Sequence, residues 1–310
     1  MALATAQIER ATSPQIARSS GGGYVAMATL LVIGVRWWTS RERVVYHMTP
    51  DEPGQLAIAR FVGGAVRWNM FDHSTWRPAY GTLISPIHWF TDDPSTTIRA
   101  ALAINAVLGG VAYVLLYVLA RRLTNISPLL CAVVALAVSL SPAVLFTTDW
   151  VWAEALVAVV YLAAILALLR FHESPTTGRG VTVVTLAIAG FSSHSRLLPF
   201  AVVTLGVIAF NASRRRISWR LAGGLSCYLL ALFFAVSWYS EFLVGRIWEK
   251  PHATNSFGGV FGQLAKVGAV FASAIGQTWY QLVTTVGVAG IGVVALVRSA
   301  RRRTNETERA

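Results

Sequence analysis

The sequence predicts an all-α integral membrane protein: a multi-span helical bundle of about eight transmembrane helices, with short interfacial helices in its first outer loop. Three observations carry that prediction. Hydrophobic residues make up 55% of the chain and charged ones only 13%, with a mean hydropathy of +0.56, a balance that ordinary soluble domains do not show. The apolar residues gather into segments long enough to cross a hydrocarbon core of ~30 Å. Basic residues sit at the ends of those segments, as in Arg121-Arg122, Arg214-Arg215-Arg216 and Arg301-Arg302-Arg303, which is how the positive-inside rule looks in a multi-span chain.

The net charge of +12 is therefore read as topology, not as a nucleic-acid footprint. No basic groove with interleaved aromatics is present, as single-strand binding would need. The two cysteines, Cys131 and Cys227, lie in apolar runs with no C-x-x-C, so they read as packing residues and not as a disulfide or zinc framework.

Residues 1–20 form a polar tail on the cytoplasmic side. The membrane domain covers 21–298 and a basic cytoplasmic tail covers 299–310. Span one runs over 21–38; its length, its Trp37-Trp38 end and the lack of a small-x-small site favour a span over a cleaved leader. The first outer loop, 39–98, holds two short helical patterns, Pro53 to Val66 and Pro78 to Phe90, each apolar on one side and suited to the interface plane. His73 and His88 in this loop read as interfacial surface residues. Asp92-Asp93-Pro94 caps span two, which ends at Arg121-Arg122.

Span three covers 127–146 with Pro142 near its end, and span four covers 151–169. The apolar stretch 181–210 would be ~45 Å long as one helix, too long for the core. It is interrupted by Ser192-Ser-His194-Ser-Arg196-Leu-Leu-Pro199, so it reads as spans five and six, both short, meeting at a polar turn. Span seven covers 221–239, a weakly apolar surface stretch covers 263–277, and span eight covers 279–297. Eight spans place both termini on one side. That side carries the excess of basic residues and is cytoplasmic, which leaves most carboxylates facing outward.

Three polar breaks then fall on the outer face: Asp51-Glu52, the Asp149…Glu154 turn, and His194-Ser-Arg196. A carboxylate near an acceptor hydroxyl or amine can act as general base, and an arginine at the same depth can hold a phosphate bidentately. Together they suit a transfer whose leaving group is a lipid phosphate. The bland readings are specific too. Asp51 serves equally as an N-cap, Glu52 as a loop charge on the helix dipole, Asp149 as a turn former and Arg196 as a residue snorkelling to headgroups. Glu154 lies inside an apolar run, where charge is expensive.

In order and spacing these pieces resemble the GT-C superfamily of membrane glycosyltransferases, which use polyprenyl-phosphate sugars. The nearest likeness is to the dolichyl-phosphate-mannose protein mannosyltransferases and the aminoarabinose transferases of lipid A. The matching residues are Asp51-Glu52 with Leu-Ala-Ile-Ala-Arg following, Arg77-Pro78-Ala-Tyr80-Gly81, Asp92-Asp93-Pro-Ser…Arg99, Asp149-Trp-Val-Trp-Ala-Glu154, and Ser195-Arg196-Leu-Leu-Pro199, within about 24 to 240. Arg77-Pro78 stands where many members have His-Pro-Pro.

The resemblance implies a GT-C-like bundle in the cytoplasmic membrane with its active site on the outer face. The donor would be a polyprenyl-phosphate-linked sugar, and the acceptor a lipid, glycan or protein. Asp51, with Glu52 beside it, would be the catalytic acid pair. Asp149 and Glu154 would be a second acidic site for the acceptor, and Arg196 and Arg77 would bind the donor phosphate. A divalent cation, Mg or Mn, would sit among Asp51, Asp149 and Glu154. Two rival readings remain: a transporter or flippase of a lipid-linked precursor, and a shortened, non-catalytic family member acting as a membrane scaffold.

Overall fold

The computed structural model describes residues 22–43, 51–65 and 77–247, all within one compact unit. The polar tail, His73, the surface stretch 263–277, span eight and the basic tail lie outside the described residues. What is described is all helical, and four of the helical segments are long and apolar enough to cross a membrane.

The chain runs back and forth between two ends of a bundle. Helix α1 (Gly22–Ser40) leads to one end, where α2 (Asp51–Val62), α3 (Pro78–Ile84) and a 3₁₀ turn (Ser85–Trp89) form a cap. Helix α4 (Pro94–Leu123) descends from that cap; α5 (Pro128–Ser139) and α6 (Pro142–Thr148) return to it. Helix α7 (Glu154–Glu173) descends, α8 (Thr177–Ser193) returns, and a 3₁₀ turn (Ser195–Leu197) leads into α9 (Leu198–Ser213), which descends again. Helix α10 (Trp219–Ile247) returns to the cap end. The four segments suited to crossing a membrane are α4, α7, Ser195–Ser213 and α10.

Local chemistry explains the breaks. Asp93 is the N-cap of α4, its carboxylate accepting the Thr96 N–H at 2.7 Å, with Pro94 at the first turn. Residues 127–146 form two helices instead of one. Pro142 lacks an N–H and forces Ser141 to an extended ψ of 143°, so the proline starts a second helix instead of closing the first. The polar break after Ser192 does divide 181–210: α8 ends at Ser193, and Pro199 enters the first turn of α9. Pro86 likewise ends the α-helical run at Ile84, short of the predicted end at Phe90, and a 3₁₀ turn follows.

Helix α2 departs most from expectation. A one-sided interfacial helix would leave a face free, but α2 is buried on two. Leu56 and Ala59 pack with Tyr80, Ile84, Ile98 and Leu102, whereas Ala57 and Ile58 pack with Leu243 and Ile247 of α10. The fit is close: a Cβ on Gly81 would come within 2.6 Å of Ile58. His88 is corrected as well. Its side chain is only 1% exposed, and a Cβ on Gly63, the residue after α2, would strike its Cβ at 2.8 Å, so it belongs to the contact between the end of α2 and the 3₁₀ turn.

Small residues also let α1 meet α4. Gly110 accepts Ile33, which an added Cβ would meet at 2.6 Å, and Gly109 accepts the Arg36 side chain. Small-residue approach of this kind is a common packing device between membrane helices. Arg36 is almost fully buried there and donates to the Ser139 carbonyl at the C-terminus of α5 at 3.2 Å, a position where the helix dipole favours a cation.

Candidate functional site

The cap end is built around Glu52, in the first turn of α2, where the helix dipole favours an anion. Its side chain is completely buried. Arg43, just beyond α1, donates from Nη2 to both carboxylate oxygens at 3.0 and 2.9 Å. The backbone N–H of Val151 donates to Oε1 at 2.7 Å. The first-loop acid pair and the entrance to α7 thus meet directly, across 99 residues of sequence. So paired, Glu52 is an anchor that ties Arg43 and the Val151 backbone to the first turn of α2.

Arg43 does more than neutralise Glu52. Its Nη1 donates to the Asp149 carbonyl at 2.8 Å, and its guanidinium lies 3.8 Å over the Trp150 ring, which stacks on Trp152 at 5.6 Å. Planarity lets a single arginine make the fork to Glu52 and the face contact to Trp150 together.

Asp149 is half-buried. Its Oδ2 accepts a hydrogen bond from Thr39 Oγ1 of α1 at 2.8 Å. Burial pushes its carboxyl above the ordinary value, opposed by the Thr39 hydrogen bond and by Arg36 and Arg43. A carboxylate held in one place and raised by desolvation is chemically suited to proton transfer. Glu154 opens α7 three residues after Val151 and is half-buried. It and Glu52 both act on the Tyr80 hydroxyl, whose ionisation burial pushes far up. Asp51 is the first residue of α2; its side chain lies outside the described residues.

Arg77 links the cap to α8, just before the third polar break. This residue precedes Pro78 of α3, and its guanidinium lies 3.9 Å over the Phe191 ring of α8. Gln55 of α2 fixes the same corner, donating to the Arg77 carbonyl at 3.4 Å and accepting from the Gly81 N–H at 2.8 Å. Burial alone lowers the Arg77 pKa to about 10, and no carboxylate or hydrogen-bond acceptor meets its guanidinium among the described residues. A desolvated cation with no protein counter-ion favours an anionic ligand. Arg196 is different. It is exposed in the 3₁₀ turn, its backbone N–H donating to His194 Nδ1 at 3.1 Å, and among the described residues it makes no contact with the Glu52–Asp149 cluster.

A Mg or Mn ion would need oxygen ligands from Asp51, Asp149 and Glu154. No group of three His, Cys, Asp or Glu side chains able to hold a metal occurs among the described residues. Glu52, the most buried acid of the site, is already taken by Arg43.

Sequence reasoning missed Arg43, Thr39 and Asn105. Arg43 reads as one more interfacial charge in Arg41-Glu42-Arg43. Asn105 carried a usable signal, a lone amide inside the long apolar run of α4, where an unsatisfied polar group is costly. No protein-family model, curated protein or solved structure matches the chain in the comparisons made.

Proposed function

We propose that the protein is a membrane glycosyltransferase of GT-C-like architecture with about eight spans and both termini cytoplasmic. In this reading it transfers a sugar from a polyprenyl-phosphate donor to an acceptor at the outer face of the cytoplasmic membrane. One observation carries the reading. Two separated polar breaks meet at one end of a bundle whose helices suit a membrane, through Glu52–Val151 and Arg43–Asp149, and Arg77 packs over Phe191 of α8, just before the third. Acidic groups and an uncompensated cation at the mouth of apolar helices are what a reaction on a lipid-linked phosphate requires.

In the reaction, an acceptor hydroxyl or amine gives its proton to a carboxylate, and its heteroatom bonds to the anomeric carbon. The bond from that carbon to the phosphate oxygen breaks, and polyprenyl phosphate leaves as the anion. Arg77 faces the leaving phosphate and Arg196 approaches it from the exposed turn. Asp51 or Asp149 takes the acceptor's proton, Glu154 serves the same acidic site, and Glu52 holds Arg43.

The test uses the full chain in proteoliposomes with radiolabelled polyprenyl-phosphate mannose, glucose and arabinose, offered with membrane-lipid and glycan acceptors. Transfer of label to a product, lowered at least about tenfold by Asp51→Asn and by Arg77→Ala, is the expected result. Donor flipping without covalent product would replace the transferase with a transporter. Absence of both transfer and donor binding would leave a scaffold.

A further inference from the structure

We infer that Asn105 is a positioning residue for the Asp149 carboxylate, acting through the Trp150 carbonyl. Three consecutive stations of the turn before α7 are each held by a side chain from a different segment. The Asp149 carbonyl accepts from Arg43, the Trp150 carbonyl accepts from Asn105 Nδ2, and the Val151 N–H donates to Glu52. Thr39 then holds one oxygen of Asp149 itself. A turn gripped in this way has no freedom to rotate its carboxylate away.

Asn105 is the member of this set that comes from within a long apolar helix. It is 2% exposed, in α4 among Leu102, Ala106 and Gly109. Burying an amide at that depth costs several kcal/mol unless both ends are bonded. Both are: Nδ2 donates to Trp150, and Oδ1 accepts from the fully buried Tyr80 hydroxyl at 2.8 Å. The Tyr80 contact also fixes which way the amide points, because only Oδ1 can accept that proton. The chain Tyr80–Asn105–Trp150 therefore runs from α3 through α4 to the turn, and it links the lid-like cap to the placement of Asp149.

The charged groups around Asp149 are Arg36 of α1, Arg43 beyond it, and Glu52 of α2 already paired to Arg43. Tyr80 and Glu154 are the other titratable groups near the turn. Burial is the largest influence on the carboxyl and raises it, while Thr39, Arg36 and Arg43 lower it. Releasing the turn admits water, so Asp149 then gives up its proton at lower pH.

The inference rests on Asp149 belonging to the proposed site, but its test needs no sugar donor. Dicyclohexylcarbodiimide, which couples to protonated carboxyls in apolar surroundings, is applied to the full chain in nanodiscs across a pH series. Modification of Asp149 is then quantified by peptide mass spectrometry, alongside thermal unfolding. Asn105→Leu is expected to lower the pH midpoint of labelling, and Tyr80→Phe to lower it by less. An unchanged midpoint in Asn105→Leu overturns the inference, even if the variant unfolds at lower temperature, because loss of packing alone would do that. Should Asn105→Leu fail to insert, an unchanged midpoint in Tyr80→Phe overturns it equally. A shifted midpoint in a protein that never transfers sugar would keep the positioning role and sink the transferase.

Discussion

The two ends of the bundle use the same residue type in opposite ways. At the end where α4, α7 and α9 finish, arginines lie on the surface and close helix C-termini. Arg216 donates to the carbonyls of His172 and Glu173 at 2.8 and 3.3 Å, Arg179 donates to those of Arg170 and Ser174 at 3.1 and 3.0 Å, and Arg122 pairs with Glu173. Arg216 and Arg179 satisfy carbonyls that a helix end leaves open, and Arg122 pairs with a carboxylate that is 60% exposed. At the cap end Arg43 is four-fifths buried and holds a fully buried carboxylate, and Arg77 is desolvated with no counter-ion among the described residues. Among the described residues, the carboxylate held by an arginine is fully buried at the cap end and mostly exposed at the other. Stability alone does not require that, and the contrast is why the proposed site is placed at this end.

The sharpest way to break the contrast is to remove the buried cation. Arg43→Ala removes the guanidinium that pairs with Glu52, and loss of one partner of a buried pair costs about 3–5 kcal/mol. The thermal midpoint of the detergent-solubilised protein should fall sharply. Glu52→Gln should cost less, since an amide oxygen still accepts from the Val151 N–H. If Arg43→Ala unfolds no earlier than Arg216→Ala, the distinction between buried and surface arginines has no energetic content.

Next in size is the cap's packing. Gly81→Ala puts a methyl 2.6 Å from the Ile58 Cβ and 2.9 Å from the Gln55 carbonyl. Neither is the far end of a flexible chain, so the cost is overpacking of about 1–3 kcal/mol. The same change at Gly178, near the arginine end, meets nothing within 4 Å and should leave the midpoint within error or slightly raised. Equal effects at the two glycines would mean that α3 is not seated on α2.

Much of the frame was legible in the chain because it depends on local rules. Asp93-Pro94 announces a helix start, the polar run after Ser192 announces a break, and arginine clusters announce segment ends. Pro142 was legible as punctuation but misplaced, because a proline that ends one helix can equally begin another. The site was legible only in part. Asp51-Glu52, Asp149 and Glu154 are visible as acids in apolar company, but which of them is neutralised depends on Arg43, and no periodicity joins Arg43 to Val151 or Asp149 to Thr39. Such pairings are tertiary, and α2 hid its second buried face because its contact with Leu243 and Ile247 comes from the far end of the sequence.

A smaller effect separates the ends by pH. Because the folded-state pKa of Asp149 is raised, the native protein binds more protons at this site than the unfolded chain does, once pH passes the unfolded value of about 3.9. This group therefore removes stability as pH rises from there through its raised folded value, and the loss is complete above it. Asp149→Asn should flatten that part of the stability–pH curve, measured by thermal unfolding between acid and neutral pH. A wild-type curve unaltered by the substitution would mean that the carboxyl is as well solvated as in the unfolded chain.

The least effect is expected at the arginine end. Arg216→Ala removes two exposed hydrogen bonds to the last carbonyls of α7, a loss of about 0.5 kcal/mol by comparison with other surface charge–dipole contacts. Salt should shrink it further, because the guanidinium is exposed and a Debye length of ~8 Å at physiological ionic strength screens it. The Arg43→Ala deficit should persist in the same salt series, since its pair is out of water. Unfolding midpoints for both variants across that series put the two ends on one axis. If the Arg43→Ala deficit also fades with salt, Glu52 is reached by solvent ions, and the cap end loses the dryness that the proposed transfer requires.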